Sequence, residues 1–262
     1  MSEQEDQRGS WLYAVTTELD PGVLTALTGV SGERPRAVEG AGLTAVAGTV
    51  PLESFGEEAL RRNLEDLDWL AAVARAHDAV VDAVVRARPA VPLRLATVYH
   101  DDDRVRAVLA EREGDFRRLL DLVSGRTEWG VKAFLDPSRL REPEPAASGA
   151  SGPGAGAAYL RRKRSQHLAK ERAEQIAAEQ ARAIHEALAA LSAEARTHRP
   201  QARQLAGNDL PMILNGAYLV DDSASSAFAE AVAAQDRAHE AIQLRLTGPW
   251  PPYSFSALEE EP

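Results

Sequence analysis

The sequence predicts an α+β protein of two domains, a mixed α/β domain over residues 1–125 and a second domain over residues 126–262. Three observations predict it. Runs rich in β-branched and aromatic residues alternate with helical blocks whose apolar residues recur every three or four positions. From residue 126 onward the elements come in the order β-α-β-β-α-β, the ferredoxin-like arrangement, here with one long helix. A chain of 262 residues, 44% hydrophobic and 27% charged, has the size and balance of one large or two ordinary folded domains.

Trp11-Leu12-Tyr13-Ala14-Val15-Thr16-Thr17 reads as the first strand, broken by Asp20-Pro21-Gly22. Residues 23–28 suit one short helical turn before Gly29. Arg36-Ala37-Val38-Glu39 and residues 43–50 form a hairpin around Gly40-Ala41-Gly42, where glycine has its usual turn role. A helical block follows, with Leu60, Leu64, Leu67 and Leu70 on one face. It continues through Val73, Val80, Val81, Val84 and Val85 until Arg88-Pro89 stops it. His77 lies in this block beside Asp78, where a structural or surface role outweighs that of a catalytic base. Residues 91–99 alternate as one strand led by an edge proline. His100-Asp101-Asp102-Asp103 invites a metal-site reading. Acidic residues before Val105 and Val108 are better explained as a helix start, because free N–H groups and the helix dipole attract negative charge. The run also lacks the alternating ligands and closing glutamate of a calcium loop. Phe116, Leu119, Leu120 and Val123 carry that helix on to Gly125.

Residues 128–136 form a strand stopped by Pro137. A Pro/Gly/Ala/Ser stretch follows and reads as a flexible insertion at about 141–157, without apolar side chains large enough to order it. The longest helix covers about 158–195. Its apolar stripe is thin, comprising Leu160, Leu168, Ile176, Ile184, Leu188 and Leu191 with alanine between them. A helix with so narrow a stripe is expected to project beyond its sheet and to be open to pairing with another helix, although strict heptads are absent. Arg161-Arg162-Lys163-Arg164 reads as a solvated helical turn near Glu171 and Glu174 rather than as an anion site. Residues 194–199 and 212–220 are strands, and 223–242 a helix capped by Ser223. The last strand, Leu244-Arg245-Leu246-Thr247, is expected to end at Gly248-Pro249, since proline lacks an N–H. Trp250-Pro251-Pro252-Tyr253-Ser254-Phe255 should clamp back over the body, because three rings are too much apolar area to leave in water.

The formal charge of −10 argues against a general nucleic-acid binder, whose affinity comes from neutralising phosphates. The absence of cysteine removes disulfides, thiol nucleophiles and cysteine-based metal sites. The polar, acidic first ten residues resemble no signal peptide, and no apolar run is long enough to span a bilayer. A cytoplasmic protein is expected. No nucleophile elbow, Walker loop or paired helical histidines occur, and Gly149-Ala150-Ser151-Gly152-Pro153-Gly154 lacks the lysine of a phosphate loop. Glu186 and Glu194 read as solvated. No catalytic, cofactor-binding or metal-ligating residue is expected, and no cofactor.

The string Leu244-Arg245-Leu246-Thr247-Gly248-Pro249-Trp250-Pro251-Pro252-Tyr253-Ser254-Phe255 resembles the C-terminal signature of the gas vesicle protein F/L family. Leu12-Tyr13-Ala14-Val15, residues 91–98, Glu128-Trp129-Gly130-Val131-Lys132 and residues 214–221 are similar to further stretches of that family, in the same order. The resemblance implies a two-domain α+β protein needed for gas vesicle formation. It also implies as partners the small hydrophobic shell protein and other accessory proteins, with a role as chaperone, nucleator or minor vesicle component. It carries over no catalytic residue, implies neither nucleic acid nor a membrane span as a target, and leaves self-association open. A small-molecule-binding or enzymatic protein on the same scaffold is the alternative.

Overall fold

A computed structural model describes residues 8–139, 155–201 and 210–257. It is a mixed α+β structure with two sheets. The chain divides into two compact units. The first comprises Met1–Glu128 together with Pro249–Pro262, the second Trp129–Gly248.

The first unit is built on strand β1 (Arg8–Thr16), which pairs antiparallel with β3 (Leu43–Pro51) on one side. On its other side lie two short strands, β4 (Val91–Pro92) and β5 (Val98–Tyr99). β2 (Arg36–Gly40) completes the sheet against β3, with Gly40 opposite Leu43. That leaves Ala41 and Gly42 as a two-residue turn with φ of 51° and 67°, the twist that matches a hairpin. Residues 91–99 are therefore not one strand. Ala96, at φ 67°, breaks the run, and β1 instead hydrogen-bonds outside the ladder to Leu93 and Thr97. The register of β1 against β3 slips between Leu12 and Ala14, a bulge that gives Tyr13 no strand partner.

Helices cover both faces of this sheet. On one, Trp11, Tyr13, Val46 and Val50 pack with Phe55 and with Val73, Val80, Val81 and Val84. On the other, Leu12, Val15, Val38 and Ala45 pack with Val105, Leu109, Phe116 and Leu120. The helical block is three helices rather than one: α1 (Leu52–Phe55), α2 (Glu57–Asn63) and α3 (Leu67–Ala87). Asp66 starts α3 by accepting hydrogen bonds from the backbone N–H of Asp68 and Trp69. Leu67, expected on the apolar face, is the first residue of that new helix and is 77% exposed. The next helix is likewise divided, into α4 (Asp102–Glu111) and α5 (Glu113–Val123), at Arg112.

The second unit holds a four-stranded sheet in the order β7-β8-β6-β9, comprising β6 (Arg126–Leu135), β7 (Glu194–Thr197), β8 (Met212–Asp221) and β9 (Ile242–Trp250). Val131, Ala133 and Leu135 alternate along β6 and so share one face. They pack with Ala177, Ala181, Ile184 and Leu188 of α6 (Ala155–Ala189) and with Phe228 and Val232 of α7 (Ser225–Ala238). The expected insertion at 141–157 lies outside the described residues up to 154, and its last three residues are helical. Ser223 does not cap α7. It sits in a 3-10 turn (Asp222–Ala224), and Ala224 precedes the helix. β9 also runs past the expected stop, through Gly248 at φ 117° and Pro249 to Trp250.

Beyond β9, Phe255 is fully buried in the first unit, whereas Trp250 is 53% exposed, so the terminal rings are not all sequestered. Phe255→Ala should cost roughly 3–5 kcal/mol in urea unfolding and Trp250→Ala a small fraction of that. Equal costs would mean that Phe255 is not anchoring the chain end.

Candidate functional site

The chemically distinctive side chains gather around His77. β1 supplies Trp11 and Tyr13, α3 supplies His77 and Asp78, and the 3-10 turn Tyr253–Phe255 supplies Tyr253. His77 is 1% exposed. Its Nδ1 lies 3.0 Å from Trp11 Nε1 and its Nε2 3.1 Å from the Leu93 carbonyl. An indole N–H can only donate, so Nδ1 accepts and the ring proton sits on Nε2, where it is donated to Leu93. Both ring nitrogens are thus occupied, and His77 is neutral. Burial pushes its pKa below the ordinary value, against weaker upward pulls from the Leu93 carbonyl and Asp78. The rings of Tyr13 and Tyr253 lie 5.3 and 6.3 Å from the imidazole.

The two tyrosines point their hydroxyls out of the cluster. Tyr13 Oη donates to Glu33 Oε1 at 2.5 Å and accepts from the Val30 N–H at 2.9 Å. Tyr253 Oη donates to Asp78 Oδ1 at 2.8 Å. Burial, then the hydrogen-bonded carboxylate, raises both phenol pKa values, so both stay protonated. Next to Tyr253, the Glu128 carboxylate takes the Ser254 N–H on one oxygen at 2.8 Å and the Ser254 hydroxyl on the other at 2.7 Å. Glu128 is 7% exposed, so these bonds form away from water and fasten the chain end to the first unit.

The acidic run after His100 is spent on structure. Asp101 caps α4 through the Arg104 N–H at 2.7 Å. Asp102 accepts from Ser10 Oγ at 2.7 Å and pairs with Arg36, and Asp103 pairs with Arg106. Burial pushes the Asp102 carboxyl up, but the bonds from Arg36 and Ser10 outweigh it and hold the group below the usual range. Among the described residues no three His, Asp or Glu side chains group as metal ligands. Lys163, Arg164, Glu186 and Glu194 are exposed, and His185 Nδ1 lies 3.0 Å from Tyr218 Oη. The side chains of 161 and 162 and the 149–154 glycine run lie outside the described residues. Among the described residues, the large exposed apolar side chains are Leu67, Leu168, Leu191 and Trp250. Around His77 both imidazole nitrogens and both phenol hydroxyls are hydrogen-bonded to the protein's own groups. No helix among the described residues is long and apolar enough to cross a membrane.

The clustering of Trp11, His77, Glu128 and Tyr253 has no counterpart in local spacing. The aromatic density of β1 and of the chain end was the available signal, together with a histidine on the valine face of α3.

The family described as Gas vesicle synthesis protein GvpL/GvpF matches residues 9–257. Gas vesicle protein L of Streptomyces sp. (strain CB03234) is 40% identical over 257 residues, covering 97% of this chain and 95% of that protein. Gas vesicle protein L1 of Halobacterium salinarum is 28% identical, covering 97% and 92%. The crystal structure of GvpF from Anabaena sp. PCC7120 shares the fold with a TM-score of 0.67 at 20% identity, covering 97% of this chain and 98% of that one.

A neutral buried His77 sets a pH dependence. Its folded pKa is below its unfolded one, so the unfolded chain binds the proton first. The contribution of His77 is therefore complete above about pH 6.5 and is lost as pH falls, by up to about 1.4 kcal/mol per pH unit. Urea midpoints measured from pH 7.5 to 5.5 should show a shallower slope for His77→Gln than for the parent. Identical slopes would mean that folding leaves the titration of His77 unshifted.

Proposed function

The chain belongs to the gas vesicle synthesis protein GvpL/GvpF family, and we propose that it serves gas vesicle formation as a binding and assembly protein. On this reading it holds the small hydrophobic shell protein, other accessory proteins, or both, as a chaperone, nucleator or minor vesicle component. It works in the cytoplasm and at the vesicle. The observation that carries the reading is the match over residues 9–257 to a family named for gas vesicle synthesis. Relatives named gas vesicle proteins L and F align over more than nine-tenths of the chain, and so support it.

We read residues 1–125 and 126–262 as the two domains along the chain, with the insertion at about 141–157 inside the second and the chain end from Pro249 returning to the first compact unit. The β6-α6-β7-β8-α7-β9 order and the strand order β7-β8-β6-β9 support a ferredoxin-like second domain. We also read the protein as non-catalytic. His77 is the most buried histidine and both its nitrogens are committed to the protein's own groups.

Co-expression with the shell protein of the same gene neighbourhood tests the function. The expected outcome is shell protein shifted from the insoluble to the soluble fraction and co-purifying with this chain. A folded chain that captures neither shell nor accessory protein, together with intact vesicles after deletion of the gene, would sink the proposal.

A further inference from the structure

Helix α6 is 35 residues long, about 52 Å at 1.5 Å per residue. Among its described side chains, the core contacts come from the C-terminal half, through Ala177, Ala181, Ile184 and Leu188. Every side chain described between 163 and 175 is exposed, including Leu168 at 56%. Propensity alone holds so long an uncovered stretch only marginally.

Charge is segregated along this helix. Residues 155–172 carry Arg161, Arg162, Lys163, Arg164, Lys170 and Arg172 against the single acid Glu171. Residues 173–189 carry Glu174, Glu179 and Glu186 against the single base Arg182. A basic half is unusual in a chain of net charge −10. On the side away from the core contacts, Leu168, Arg172, Gln175, Glu179, Arg182 and Glu186 follow each other at steps of four and three, and all are exposed. That spacing is the seam along which two helices lie side by side.

We propose that the outward seams of α6 from two copies of this chain pair antiparallel. Each basic half, through Arg164 and Arg172, which lie on that outward side, then runs along the partner's Glu179 and Glu186. The contact is self-complementary about a two-fold axis and so closes as a dimer. A parallel pairing would set base against base and is opposed by the same charges. The seam is mostly polar with one leucine, so charge sets orientation and salt weakens the pairing. This pairing does not depend on shell-protein binding.

The test uses the full chain in sedimentation equilibrium. A homodimer is expected at low salt, losing about tenfold or more in association constant as salt is raised well past 0.1 M, where the screening length is about 10 Å. Two variants reverse the halves. One is Arg164→Glu and Arg172→Glu; the other is Glu179→Lys and Glu186→Lys. All four positions are exposed, and far-ultraviolet circular dichroism checks that each variant folds. Each alone should be monomeric, and an equimolar mixture should recover a one-to-one heterodimer. A parent that stays monomeric at low salt, a dimer that neither set disrupts, or loss without recovery on mixing overturns the proposal. Retention of a monomeric parent on a DNA column, abolished by the first set, also overturns it and assigns the basic half to a polyanion.

Discussion

A strand covered on both faces has no water to satisfy its polar side chains, and β1 imposes that condition on the first unit. Four of its side chains carry polar atoms inside the core, and each finds its partner on a different segment. Ser10 Oγ donates to Asp102 at the start of α4. Trp11 Nε1 donates to His77 in the middle of α3. Tyr13 Oη reaches Glu33 before β2, and Thr16 Oγ1 donates to the Pro89 carbonyl before β4. A buried donor left without its partner costs about 1–3 kcal/mol. These bonds therefore do more than decorate the sheet: they specify which segment covers which part of it. The bulge at Tyr13 belongs to the same scheme, since it keeps Tyr13 and Ala14 on the face that packs with α3 while Leu12 and Val15 face α4 and α5.

The second unit is governed differently. Its core leans on one face of a four-stranded sheet, where α6 contributes two alanines, one isoleucine and one leucine. Buried alanines allow close approach of helix to sheet but bury little area each. Larger side chains supply the bulk of that core: Tyr218, whose ring fills the space a side chain at Gly216 would need, and Phe228 beside it at 5.5 Å.

Much of this was legible from local pattern. The hairpin of β2 and β3, the helix start at Asp101 and the strands β6 and β8 follow from glycine placement, acidic caps and alternation. What stayed hidden had one of two physical causes. Within 57–87 the leucine spacing persists across a helix break, so periodicity concealed what the cap at Asp66 would have announced. Within 91–99 alternation likewise runs through a backbone that turns at Ala96. The other cause is distance along the chain. Glu128 and Ser254 are 126 positions apart, and Asp78 and Tyr253 are 175 apart. Nothing local to either end marks such a pair, although the ring-rich chain end showed that some anchoring had to exist.

That anchoring has a consequence for how the protein is made. The first unit is drawn from two separate stretches, Met1–Glu128 and Pro249–Pro262, with the whole of Trp129–Gly248 translated in between. At the usual elongation rates of about 5–20 residues per second, the segment bearing Tyr253 and Phe255 emerges roughly 6–25 s after Glu128. Over that interval the second unit emerges as one unbroken stretch of chain, while the first still lacks the residues that shield His77 and occupy the Glu128 carboxylate. The order of completion is thus the reverse of the order of synthesis. The nascent protein passes through a period in which its N-terminal apolar face is open to whatever is nearby.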